Sequence, residues 1–175
     1  MRPSFTAKIA RVVVIRECEL KFARTETGYR LRVQGCGTSQ QSAAAEMFVD
    51  EALCDPAHSV VIDLSSTSYL DSTFLGCLLG MYRRHGAARL RIAAPKDVAR
   101  NLFGPTKLDV ALRVTDQLPH TLGEDVTIKL KSATPTEIAR HIMECHRRLG
   151  ETPGPQQQVF AAIARQLARE LEQRS

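Results

Sequence analysis

Apolar and polar positions change period several times along the chain, and each change marks an element. Leu20 and Phe22 alternate with Lys21, and Tyr29, Leu31 and Val33 alternate with Arg30 and Arg32. That period of two predicts two half-buried strands joined by a turn at Thr27-Gly28. Gly35-Cys36-Gly37 breaks the alternation. Thr38 or Ser39 then offers a side-chain oxygen to cap a helix, with Ala44, Met47 and Phe48 as its apolar side and an end near Asp55-Pro56. Ser59-Val-Val-Ile-Asp-Leu64 is almost continuously apolar, the mark of a strand covered on both faces. After the polar loop Ser65–Ser68, the residues Leu75, Leu78, Leu79 and Tyr82 fall at i, i+3, i+4 and i+7 of a second helix. Gly76 and Gly80 lie one turn apart on it and are expected to let it approach the sheet closely. Leu90 and Ile92 alternate with Arg89 and Arg91 in a further strand. Pro95 opens a short helix with Val98, Leu102 and Phe103, which Gly104-Pro105 stops. Val110, Leu112 and Val114 alternate with Ala111 and Arg113, predicting a last strand. The order ββαβαβαβ predicts an α/β domain (α+β-like in having a mixed sheet) over residues 19–119 with right-handed crossovers.

Residues 120–175 read as an addition. Val126, Ile128 and Leu130 suit one more strand. Thr134-Pro135-Thr136-Glu137 is a capping box, in which Thr caps the first turn and Glu reaches back to it. Ile138, Ile142, Cys145 and Leu149 stripe the helix that follows. Thr152-Pro-Gly-Pro155 makes a turn, and Val159, Phe160, Ile163, Leu167 and Leu171 stripe a second helix. Two amphipathic helices with a short connection form an antiparallel hairpin. Its apolar stripes have three surfaces to cover: each other, the sheet domain, or a second copy of the chain in a homodimer. Residues 1–18 form a basic segment in which Ile9–Ile15 suits either a strand or a helix.

The 175 residues are 43% hydrophobic and 25% charged, a globular composition. The longest nearly charge-free apolar run, Phe74–Tyr82, is far short of the roughly 20 residues that span a bilayer, so no membrane insertion is expected. No secretory signal is recognised, and a cytoplasmic protein is expected. The net charge is +5, and it is concentrated in residues 1–34, where Arg2, Lys8, Arg11, Arg16, Lys21, Arg24, Arg30 and Arg32 outnumber three acids. These cations are dispersed and aromatics are few, which argues against direct nucleic-acid binding. Cys18, Cys36, Cys54, Cys77 and Cys145 are odd in number and never form CxxC. The set predicts free thiols in a reducing compartment rather than a disulfide framework.

The most informative stretch is Val60-Val-Ile-Asp-Leu-Ser-Ser-Thr-Ser-Tyr-Leu-Asp-Ser-Thr-Phe-Leu-Gly76. With its flanking elements from about Leu20 to Leu118, including Pro95–Phe103, it resembles the STAS domain family of anti-sigma factor antagonists. In that family a central strand leads to a hydrophobic-Asp-Ser-Ser/Thr-Gly-Leu-Gly loop where a helix starts. Here the loop stands as Leu70-Asp71-Ser72-Thr73-Phe74-Leu75-Gly76. The resemblance implies a switch without catalysis: the module binds an anti-sigma factor that is also a serine kinase, and phosphorylation in the loop separates the two. The implied acceptor is Ser72 or Thr73, and Asp71, Phe74 and Gly76 are the implied partner-binding positions. Two positions depart from the pattern. Phe74 stands where the family has Gly, and Gly35-Cys36-Gly37-Thr38 lacks the acid that usually follows the second strand.

A constitutive STAS scaffold and a transporter regulatory subunit are alternatives to the phosphorylation switch. A serine hydrolase using Ser72 is a third, from a different class. It needs a base and an orienting acid, and His58 and His85, the histidines inside the domain, sit in no recognisable catalytic setting. His141 and Cys145 lie one helical turn apart beside Glu144 and His146. No second ligand pair at matching spacing accompanies them, so the sequence predicts a polar helix face and no metal site. No cofactor motif such as GxGxxG is present.

Overall fold

The structure, a computed structural model, describes residues 17–173. The expected element at Ile9–Ile15 lies outside the described residues. Strands β1 (Glu19–Thr25) and β2 (Gly28–Gly37) form an antiparallel hairpin in which Leu20 faces Val33 and Phe22 faces Leu31. Helix α1 (Ser39–Ala52) follows, then β3 (Ser59–Asp63), β4 (Thr67–Leu70), α2 (Ser72–His85), β5 (Leu90–Ala93), α3 (Lys96–Phe103), the single turn α4 (Leu108–Ala111), β6 (Val126–Thr127), α5 (Pro135–Gly150) and α6 (Gln157–Glu172). The sheet is mixed and runs β5-β3-β2-β1-β6, with β4 paired to the end of β2. As expected, β3 is covered on both faces: Val60, Val61 and Ile62 are all buried.

Several elements differ from their sequence reading. The segment predicted as the last strand is the turn of helix α4, because its buried residues are Leu108 and Leu112, four apart, while Val110 is exposed. The chain then touches the sheet through one parallel bridge, Ala93 to Thr115. The Ser65–Ser68 loop is partly strand: Thr67 turns inward and gives its hydroxyl to the Val33 carbonyl at 2.7 Å. On α1 the buried side is Gln41, Ser42, Ala45 and Val49, and Met47 is exposed. Arg30 and Arg32, expected on a wet face, are neutralised by Asp63 and Asp125. Asp125 lies just before β6, which pairs with β1.

Cys18 and Cys36 are joined by a disulfide, with Cα atoms 4.8 Å apart, which corrects the expectation of free thiols. The hairpin register explains the pairing. Glu19 opposes Gln34, so the next residues outward on the two strands meet, and Gly35, with φ of 77°, bends Cys36 into reach. Spacing along the chain carries no trace of this.

The C-terminal helices do form a hairpin. Thr134 and Glu137 exchange the reciprocal bonds of a capping box, and α5 packs against both α6 and α2. Cys145, His146 and Leu149 on α5 and Phe160 and Ala164 on α6 are buried within the chain. The stripes thus cover each other and the sheet domain in part: Val159 is exposed, and Ile138, Ile142, Ile163 and Leu167 are half-buried. Gly76 and Gly80 serve this contact, not the expected approach to the sheet. A Cβ on Gly76 would lie 2.2 Å from the Cys145 carbonyl oxygen, and one on Gly80 would lie 2.3 Å from the Arg148 guanidinium. Among the described residues no helix is long and apolar enough to cross a membrane.

Two predictions follow from this packing. Gly76→Ala meets rigid backbone and should cost about 1–3 kcal/mol, with faster amide exchange across residues 135–172. Gly80→Ala meets a flexible side-chain end and gains helix propensity, so its stability should stay within about 1 kcal/mol of wild type. The disulfide closes a loop with a sequence separation of 18. Replacing both Cys18 and Cys36 by Ser should therefore lower the unfolding free energy in urea by about 3 kcal/mol, and reductant should have the same effect on the wild type.

Candidate functional site

The corner where β4 gives way to α2 is built around Asp71. Its backbone N–H donates to the Gly37 carbonyl at 2.9 Å, which ties the corner to the end of β2. Its carboxylate serves two helices. One oxygen accepts from the Phe74 N–H at 2.8 Å, and the other accepts from the Ser39 N–H at 3.0 Å. Each bond satisfies a backbone donor that a helix start leaves unpaired, so a single anion closes the N-termini of α1 and α2. Asp71, named in the sequence as a partner-binding position, is thus a positioning residue for this corner.

The two hydroxyls next to it differ. Thr73 is 4% exposed, beneath packed atoms. Ser72 is half-buried and lines a cleft of about 380 Å³ together with Tyr69, Leu75, Asn101, Thr106 and Phe160. Its Oγ lies 2.9 Å from His146 Nε2. The other ring nitrogen, Nδ1, donates to the Ile142 carbonyl at 2.8 Å, which leaves Nε2 as an acceptor for the Ser72 hydroxyl proton. His146 is itself buried and packs against Phe160 with ring centroids 5.8 Å apart. A base absent from the sheet domain is therefore supplied by the hairpin, 74 residues away in sequence. The orienting group on the imidazole is a backbone carbonyl and not a carboxylate, and the nearby Asp71 is committed to helix N–H groups. The arrangement can hold or transfer a proton at Ser72 Oγ, but it lacks the acid of a hydrolytic triad.

The remaining sequence-named positions face inward. Phe74 has no exposed surface. Its ring lies where a Cβ on Gly37 would be, 2.7 Å away. The large residue on α2 is thus matched by a glycine on β2, and it is core, not a contact for a partner. Gly76 is covered by the backbone of α5. The exposed aromatic at the corner is Tyr69, 57% accessible. The sequence carries no signal for it, since Tyr69 falls between the polar loop Ser65–Ser68 and the Leu70–Gly76 pattern. His141 and Cys145, read as a polar helix face, stand with Glu46 and Cys77 where α1, α2 and α5 meet.

No protein-family model matches the sequence, and no curated protein matches it significantly. Among solved structures, an anti-sigma factor antagonist from Mycobacterium paratuberculosis is similar over 58% of this chain and 88% of its own, with a TM-score of 0.50 and 21% identity. The anti-sigma factor antagonist SpoIIAA in its unphosphorylated form is similar over 49% of this chain and 81% of its own, at 18% identity and a TM-score of 0.40. The second likeness is too loose to add to the first. The strand order, the helix starting at Asp71-Ser72 and the first of these likenesses agree: the chain carries the STAS fold, the fold of anti-sigma factor antagonists.

Proposed function

We propose that the protein is a non-enzymatic regulatory module of the anti-sigma factor antagonist kind, with Ser72 as its phosphorylation site. It docks an anti-sigma factor with serine kinase activity through the Ser72 corner and its exposed neighbour Tyr69. The observation that carries this reading is the contrast between the two hydroxyls: Ser72 opens into a cleft at a helix start, and Thr73 is buried. A phosphate brings about −1.5 to −2 charges. The free N–H groups of a helix start tolerate that charge, and an apolar partner surface does not. Modification would also remove the proton that Ser72 gives to His146 and load the cleft with anionic oxygens. The module is proposed to act in the cytoplasm, where the Cys18–Cys36 bond would respond to redox conditions.

One observation favours a second reading, a constitutive scaffold. The Ser72 hydroxyl is already engaged by the hairpin through His146, and any kinase must first displace that contact. Incubation with ATP and an anti-sigma factor kinase, followed by mass mapping, separates the two. The expected result is one phosphate on Ser72, abolished by Ser72→Ala, retained in Thr73→Val, and acquired faster in His146→Ala. Ser72→Glu should weaken binding to that kinase by about tenfold or more, the equivalent of about 1.4 kcal/mol. A loop that stays unmodified, together with unchanged binding by Ser72→Glu, would leave the scaffold reading in its place.

A further inference from the structure

Three helices that are distant in sequence bring Glu46 (α1), Cys77 (α2), and His141 and Cys145 (α5) to one point, away from the Ser72 hydroxyl and independent of its role. Ligand atoms of Glu46, Cys77 and His141 all lie within 4.8 Å of one another. Cys145 Sγ is 3.7 Å from His141 Nε2, the same nitrogen lies 2.8 Å from Ser42 Oγ, and the Cys77 thiol donates to the Ser42 carbonyl at 3.3 Å. Both cysteines are fully buried.

We propose that Cys77, Cys145 and His141 form a zinc site that fastens the C-terminal hairpin to the sheet domain. The donor set is what a borderline-soft divalent ion selects, two thiolates and one imidazole. Spacing agrees. With Zn–S of about 2.3 Å and Zn–N of about 2.0–2.1 Å, tetrahedral sulfur and nitrogen donors sit about 3.6 Å apart, close to the distance observed between Cys145 and His141.

The surroundings are also those of a metal site. Glu46 Oε2 is 3.5 Å from His141 Nδ1, the face opposite the sulfur. The other Glu46 oxygen is held by Arg84 at 2.8 Å and Arg148 at 3.2 Å. This is the carboxylate that fixes a ligating histidine in its ring orientation. The two arginines balance Glu46, which leaves two thiolates to balance the dication. His141 borders a cleft of about 780 Å³ between α1, α5 and residues 128–133, which supplies a path for entry and a direction for the fourth ligand position.

Without metal, Ser42 occupies the cluster: its Oγ lies 2.8 Å from His141 Nε2 and its carbonyl accepts from the Cys77 thiol at 3.3 Å. Zinc would displace both contacts and release the protons carried by the thiols it binds.

The test uses the full chain in a Cys54→Ser background, since Cys54 is an exposed free thiol. After loading with zinc and desalting, elemental analysis should find one zinc per chain. Cobalt in its place should give thiolate charge-transfer bands and the intense visible bands of a tetrahedral site. Zinc should raise the melting temperature and slow proteolysis at residues 131–134. Cys77→Ser, Cys145→Ser and His141→Gln should each abolish these effects, and Glu46→Gln should weaken zinc affinity by about 10- to 100-fold. His141→Gln is half-buried and is the variant to rely on if the cysteine variants do not fold, as judged by circular dichroism. Zinc retention no greater than that of folded His141→Gln would overturn the proposal. So would a metal-free protein whose intact mass reveals a Cys77–Cys145 disulfide.

Discussion

The contact between the α2 backbone at Gly76 and the α5 backbone at Cys145 decides where the C-terminal hairpin lies. Two glycines inside one helix forgo about 1 kcal/mol of helix propensity each. The return is an approach that no side chain permits, with a Cβ on Gly76 only 2.2 Å from a carbonyl oxygen. That approach buries Cys145, Leu149 and Phe160, and a buried large apolar side chain contributes about 1.5–3 kcal/mol. The same approach delivers His146 to Ser72 at one end of the helix pair. One turn away it delivers His141 and Cys145 to Glu46 and Cys77. These two polar clusters are thus consequences of one close backbone contact.

Asp71 plays the corresponding part on the sheet side. By capping α1 and α2 together it holds the end of β2, the start of α1 and the start of α2 as a unit. The proposed phosphorylation of Ser72 would leave this cap in place, because the Asp71 carboxylate, not the Ser72 hydroxyl, satisfies the helix N–H groups. The hairpin adds a layer that the sheet domain alone does not have. His146 holds the Ser72 proton, so the state of the corner is coupled to the docking of residues 135–172.

Much of the architecture could be read before folding was considered. The β1–β2 alternation, the doubly covered β3 and the Thr134 capping box are local. Each rests on residues within a few positions of one another, where sterics and short-range hydrogen bonds act directly. The failures have local causes too. Val110, Leu112 and Val114 fit a period of two as well as Leu108 and Leu112 fit a helical turn, and only burial distinguishes the readings. The glycines of α2 announced a close approach but not its object, because a missing side chain carries no address.

What the linear chain could not express is which distant groups share a volume. It marked Ser72 and Thr73 as equals and Phe74 as a contact. Packing made Ser72 accessible, buried Thr73, and seated Phe74 against Gly37. It offered five scattered cysteines, and strand register joined Cys18 to Cys36 while helix packing set Cys77 beside Cys145. By itself, then, the sequence determined most of the elements up to α3, the C-terminal hairpin and the chemistry available at the β4–α2 corner, since propensity, capping and periodicity act over a few residues. The tertiary structure decided which hydroxyl meets solvent, which histidine meets it, and which thiols meet each other. Those are distances between separate elements, set by how closely two helix backbones can approach.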